Sequence, residues 1–169
     1  LVGGNPIRYD PKNLDGEAPA RTVLLRSSQT DMSLWDFYLG FGHSFSRVLG
    51  TRFHADLASS RAWSKLFASF AMQAADRTDS RMPVCDSLSL QQADDSDIKT
   101  CLLFELQAEH GWGLITQFYE RVSTVANWDL VLAPDATPAA KWDWFESTVN
   151  DITGTDNGAV FRKYDTYLD

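Results

Sequence analysis

Trp35-Asp36-Phe37-Tyr38-Leu39-Gly40-Phe41-Gly42-His43-Ser44-Phe45 reads as one amphipathic helix. Tyr38, Phe41, Phe45 and Val48 recur at three- and four-residue steps, the spacing of one buried face. Ser33 followed by Asp36 suggests a loose capping box at its start, and Gly50 supplies a stop. Each of the two interior glycines costs ~1 kcal/mol relative to alanine. Gly40 and Gly42 therefore want a reason, such as close approach of another backbone or of a ligand.

The chain around this helix predicts a mostly α protein. Upstream, residues 1–30 are rich in turn residues: Gly3-Gly4, Asn5-Pro6, Asp10-Pro11 and Asp15-Gly16. Arg21 to Arg26 is the best strand candidate there, with no obvious partner, so any β element is small. Downstream, residues 31–169 read as a helical body. Ala58 to Ala75 carries Trp63, Leu66, Phe67, Phe70 and Ala74 on one face. Ser96 to Ala108 follows, with Ser96 as the expected N-cap, and Gly111 ends it. Trp112 to Val125 is a fourth helix, with Trp112, Ile115, Phe118, Tyr119 and Val122 facing inward. Thr137-Pro138 is a strong helix start and Gly154 a C-terminal stop, bracketing Trp142, Phe145, Val149 and Ile152. A last short helix runs through Val160, Phe161, Tyr164 and Leu168. At 169 residues the chain fits a single domain, residues 1–169, with a substantial core.

Composition excludes several function classes. Fifteen basic against 23 acidic residues give a net charge of −8, which disfavours nucleic acid and anionic membrane surfaces. No apolar run approaches the ~18 residues that span a bilayer. Leu1 in place of Met points to a chain that begins after processing or is part of a longer one; no signal peptide is evident. Cys85 and Cys101 bracket a polar stretch. A disulfide closing it would contribute ~3 kcal/mol in the chain-entropy model. Two buried thiols are the alternative; the bridge is expected, and with it a secreted location.

The run Cys101-Leu102-Leu103-Phe104-Glu105-Leu106-Gln107, then His110-Gly111-Trp112-Gly113-Leu114-Ile115-Thr116-Gln117-Phe118-Tyr119, resembles the helical end of enhancin-like metallopeptidases. These are gluzincin-type enzymes that attack mucins and other glycoproteins. Trp142-Asp143-Trp144-Phe145 through Thr153-Gly154, and the segment Asn157 to Tyr167, are similar to their later helices. The resemblance spans roughly Trp35 to Leu168 and implies a multi-helix, gluzincin-like helical subdomain.

Such enzymes carry His-Glu-x-x-His, because residues four apart share a helix face and can both ligate zinc while the Glu activates water. Aligned on Gly42-His43, Leu39 replaces the first His and Gly40 the Glu; only His43 remains. Ala62 stands where the resemblance implies the third ligand, a Glu. Leucine and alanine offer zinc no lone pair, glycine cannot take a proton, and one imidazole does not hold the metal. The resemblance thus implies a vestigial site at Leu39, Gly40, His43 and Ala62, with no cofactor, on a pseudo-peptidase scaffold. A hydrogen-bonded core histidine is the plainer account of His43, and neither His54 nor His110 has ligand spacing. Asp94-Asp95-Ser96-Asp97 reads as a solvated helix entry lacking the glycine and distal Glu of an EF-hand. Gly-x-Ser-x-Gly and phosphate-binding glycine motifs are absent.

The expected function is a non-catalytic module that binds protein or glycoprotein, or a subunit of a larger secreted assembly. Trp112, Trp142 and Trp144 are its candidate surface-binding residues. An active hydrolase with an unrecognised or partner-completed metal site is one alternative. An unrelated helical toxin-like or structural protein is another.

Overall fold

The computed structural model describes residues 7–9, 23–25, 34–46, 57–125, 131–133 and 135–168. In chain order these form β1 (Ile7–Tyr9), β2 (Val23–Leu25), α1 (Leu34–Ser46), α2 (Leu57–Ala74), α3 (Ser87–Leu90), α4 (Asp95–Ser123), α5 (Pro138–Thr153) and α6 (Gly158–Asp165). The protein is mostly helical. The two strands pair in parallel, Ile7 opposite Val23 and Tyr9 opposite Leu25. The expected strand thus has a partner, inside the segment that reads as turns. Ser33, Val48, Gly50 and His54 lie outside the described residues.

Helix α2 is the centre of the packing, flanked by α1 on one side and α4 on the other; α5 and α6 pack on α4. Toward α4, α2 buries Ala62, Trp63 and Leu66 in the main core, with Ile98, Leu102, Leu103, Leu106, Phe118, Phe145, Val149 and Phe161. Trp63 stacks on Phe118 with centroids 5.5 Å apart and planes at 10°. Toward α1, Ala68 and Met72 meet Trp35 in a smaller cluster, joined by partly buried Tyr38, Leu39 and Met82. A helix buried on both sides needs small residues somewhere, and Ser59, Ser64 and Ser69 are buried along α2.

The buried face of α1 differs from the one the aromatic spacing predicts. Trp35, Gly42, Ser44 and Ser46 are buried, whereas Phe45 is 40% exposed and Tyr38 and Phe41 only partly covered. The reason is close approach. A Cβ on Gly42 would lie 2.5 Å from the Ser64 carbonyl oxygen and 2.9 Å from its Cα. Ser46 Oγ sits 3.3 Å from Ser64 Oγ and donates to the His43 carbonyl at 2.9 Å. Small residues four apart let the two backbones touch.

Caps set the remaining boundaries. Thr137 Oγ1 accepts from the Ala140 N–H at 3.2 Å, with Pro138 at the first helical position, and Gly154 ends α5 at φ 68°, ψ 15°. Asp94, not Ser96, caps α4: its Oδ1 accepts from the Asp97 N–H at 2.9 Å. Ser96 Oγ instead donates to Asp94 (2.6 Å) and accepts from Lys65 Nζ (2.6 Å), which also reaches Asp97 Oδ1 at 2.6 Å. Burial works against the Asp94 carboxylate, but the hydrogen bonds from Ser96, the Asp97 N–H and Lys65 outweigh it and lower its pKa. Gly111 interrupts α4 at φ 72°, ψ −177°, backbone essentially open only to glycine. The expected break between two helices is thus present: α4 consists of two helical arms that meet at the non-helical Gly111. Beside it, His110 Nε2 lies 2.7 Å from Asn157 Oδ1. Asn157 Nδ2 donates to Asn150 Oδ1 (3.0 Å), Thr153 Oγ1 (3.0 Å) and the Thr155 carbonyl (3.1 Å), fastening the kink to the α5–α6 turn.

Cys85 and Cys101 are bridged, with Cα atoms 5.5 Å apart, joining the connector after α2 to α4. Within that connector Arg81 donates from Nε to Asp79 Oδ1 and from Nη1 to Asp36 Oδ1, both at 2.8 Å. Hydrogen bonds from the Arg81 side chain, then from its backbone, hold the Asp79 carboxyl at about 2, below its ordinary 3.8. A depressed carboxylate stabilises the fold above its unfolded pKa and loses that contribution as pH falls through the folded one. The Arg81 knot should therefore be complete above pH ~4 and dissolve toward pH ~2. A carboxyl-carbon NMR titration checks this, and an Asp79 midpoint near 3.8 would refute it.

Candidate functional site

The four positions that the zinc motif would occupy fall on two different surfaces. Leu39 packs with the smaller cluster between α1 and α2. Gly40 and His43 are half-buried on α1. Ala62 is 1% exposed within the main core, and its carbonyl lies 3.4 Å from Thr100 Oγ1 of α4. Ser64 is the α2 residue that meets α1 at Gly42, and two residues along a helix turn the side chain by roughly 200°. A carboxylate at position 62 would thus enter the core facing α4 instead of looking toward α1. Among the described residues, no group of three or more His, Cys, Asp and Glu side chains is placed to hold a metal ion.

The three candidate tryptophans also separate. Trp142 and Trp144 are half-buried against the main core, Trp142 5.4 Å from the Phe145 ring and Trp144 6.1 Å from Phe118. Lys99 Nζ lies 5.4 Å from the Trp142 ring centroid, a cation–π distance. Trp112 is different, 41% exposed on the turn that Gly111 creates. Its indole lies nearly parallel to Phe67, centroids 6.2 Å apart and planes at 17°, and edge-on to Phe70 at 4.7 Å. Phe45, from α1, reaches Phe67 at 5.9 Å. Phe45, Phe67 and Trp112 therefore form an aromatic strip across three helices, exposed at both ends.

Phe45 and Phe67 carry no sequence signal for this role, because aromatics at helical spacing read as core. The one usable clue is Gly111-Trp112, a glycine that turns the backbone just before a large ring. Beneath the strip, Tyr119 lies edge-on to Phe67 at 5.9 Å, and its hydroxyl is buried without a hydrogen-bond partner among the described residues. Burial pushes that phenol far above its ordinary range, so it stays neutral and is a donor at any physiological pH. On the far side of α4, Glu105 accepts from Tyr164 Oη at 2.8 Å and pairs with Lys163, a structural tie to α6. An open polar depression lies between the end of α4 and α5, where Arg121 Nη2 and Asp151 Oδ2 are 3.4 Å apart.

The described helices include none long and apolar enough to cross a membrane. No family model matches the chain, and no curated protein or solved structure does either.

Proposed function

We propose that the protein is a non-catalytic binding module on an enhancin-like helical scaffold, and that its working surface is the strip of Phe45, Phe67 and Trp112. The observation that carries this reading is the Trp112 ring, held by Phe67 and Phe70 yet 41% exposed. A ring already fixed by its neighbours loses little side-chain entropy when a partner covers it, and tryptophan is enriched among residues that dominate binding energy. The partner is a protein or glycoprotein, since aromatic faces accept both apolar side chains and sugar rings. The bridged cysteines support a secreted setting. Leu39, Gly40 and Ala62 contribute no metal ligand and no general base where the resemblance would require them.

Trp112→Ala should weaken binding to an immobilised mucin-type glycoprotein at least tenfold, a loss of ~1.4 kcal/mol or more. Its far-UV circular dichroism should stay that of the parent. Equal binding by the variant would overturn the assignment of the surface. Elemental analysis after dialysis is the companion measurement: about one zinc per chain would overturn the non-catalytic reading.

A further inference from the structure

We infer that the Cys85–Cys101 bridge controls the docking of α1 onto α2, acting through the connector and the Arg81–Asp36 ion pair. Among the described residues the main core draws no member from α1. Helix α1 instead shares the smaller cluster, where its Trp35 meets Ala68 and Met72 of α2. The connector supplies two further holds on α1. Met82 packs on that cluster, and Arg81 Nη1 donates to Asp36 Oδ1 in the first turn of α1 at 2.8 Å. Arg81 is itself set by Asp79, which accepts from its backbone N–H, Nε and Nη2.

These holds hang between two fixed points. One is the end of α2, and the other is Cys85, fixed to the buried Cys101 of α4. With the bridge open, the next anchor along the chain is Leu90, 2% exposed in the main core. The segment bearing Arg81 and Met82 then gains length and freedom, so its grip on α1 weakens. Cys85 is exposed, so a reductant can reach the bridge from the connector side. A dithiol or phosphine supplies two electrons: the S–S bond breaks, each cysteine takes up a proton, and the reductant is oxidised. The main core, built from α2 and α4 to α6 with Leu90, keeps its packing.

Hydrogen exchange read by mass spectrometry tests this on the whole chain, oxidised and phosphine-reduced at one pH, with alkylation of both cysteines confirming reduction. Reduction should speed exchange in residues 34–46 at least threefold and leave α5 and α6 unchanged. Arg81→Ala should raise α1 exchange in the oxidised protein, and reduction should then add less than it does in the parent, because only the Met82 hold is left to loosen. Unchanged α1 exchange after complete reduction would overturn the inference. So would equal acceleration in every helix, which would make the bridge a staple of the whole fold, and so would a full further response to reduction in Arg81→Ala.

Discussion

Gly42→Leu is expected to lift α1 off α2. Even a single Cβ at this position would stand 2.5 Å from the Ser64 carbonyl oxygen, and that atom belongs to helix backbone that cannot swing aside. The two helices must part, which separates Trp35 from Ala68 and Met72 and breaks the approach of Ser46 to Ser64. Overpacking of this kind costs ~1–3 kcal/mol, and more when backbone has to move. Because the main core excludes α1 among the described residues, the damage should stay local. Limited proteolysis should cut within residues 34–46 and leave a resistant fragment over residues 57–168. Gly40→Leu, at a half-buried position on the same helix, is the comparison. Full protease resistance in Gly42→Leu would show that the crossing is looser than the geometry requires.

Trp63→Ala should instead unfold the protein as a whole. Trp63 is 3% exposed, stacks on Phe118, meets Tyr119 edge-on at 5.6 Å and approaches Phe145 at 6.0 Å. Removing it leaves a cavity bordered by three rings from α4 and α5, and such truncations cost ~3–5 kcal/mol. For a chain of this size the melting temperature should fall by roughly 10 °C. Every helix should lose protection together, unlike the Gly42 variant. A midpoint within about 2 °C of the parent in calorimetry would mean that the site collapses around the loss, against expectation for a close-packed interior.

These two positions also mark where the sequence is and is not readable. Trp63, Leu66, Phe118 and Phe145 announce themselves, since large apolar residues at helical spacing have few places to go but a core. Thr137-Pro138 and Gly154 are equally legible, because a cap is a local interaction among adjacent residues. The face of α1 is not. Gly42 and Ser46 bury by letting backbones touch and leave no hydrophobic signal, while Phe41 and Phe45 imitate a core stripe. Asp94 displaced Ser96 as the cap because Lys65, far off in sequence, claims the serine hydroxyl. The Ile7–Tyr9 strand is too short for alternation to show. For the aromatic strip, sequence offered Trp112 but gave equal weight to Trp142 and Trp144. Only tertiary packing distinguishes an indole lying against Phe118 or Phe145 from one turned outward by Gly111.

The position of the main core along the chain bears on how the protein is made. Its members run from Ala62 to Tyr164, so α2 emerges from the ribosome roughly a hundred residues ahead of the α6 side chains that close over the far side of that core. At ordinary rates of synthesis this is about 5–20 s during which Trp63 and Leu66 wait without their full complement of neighbours. Helix α1 can give earlier cover to the opposite flank, because most of its contact is with the next helix to appear. A shorter interval, about 60 residues or roughly 3–13 s, passes between Cys101 and the end of the last helix, which overlaps only the fast end of disulfide formation in an oxidising compartment. The nascent chain is thus most exposed to aggregation and to chaperones just before α6 emerges.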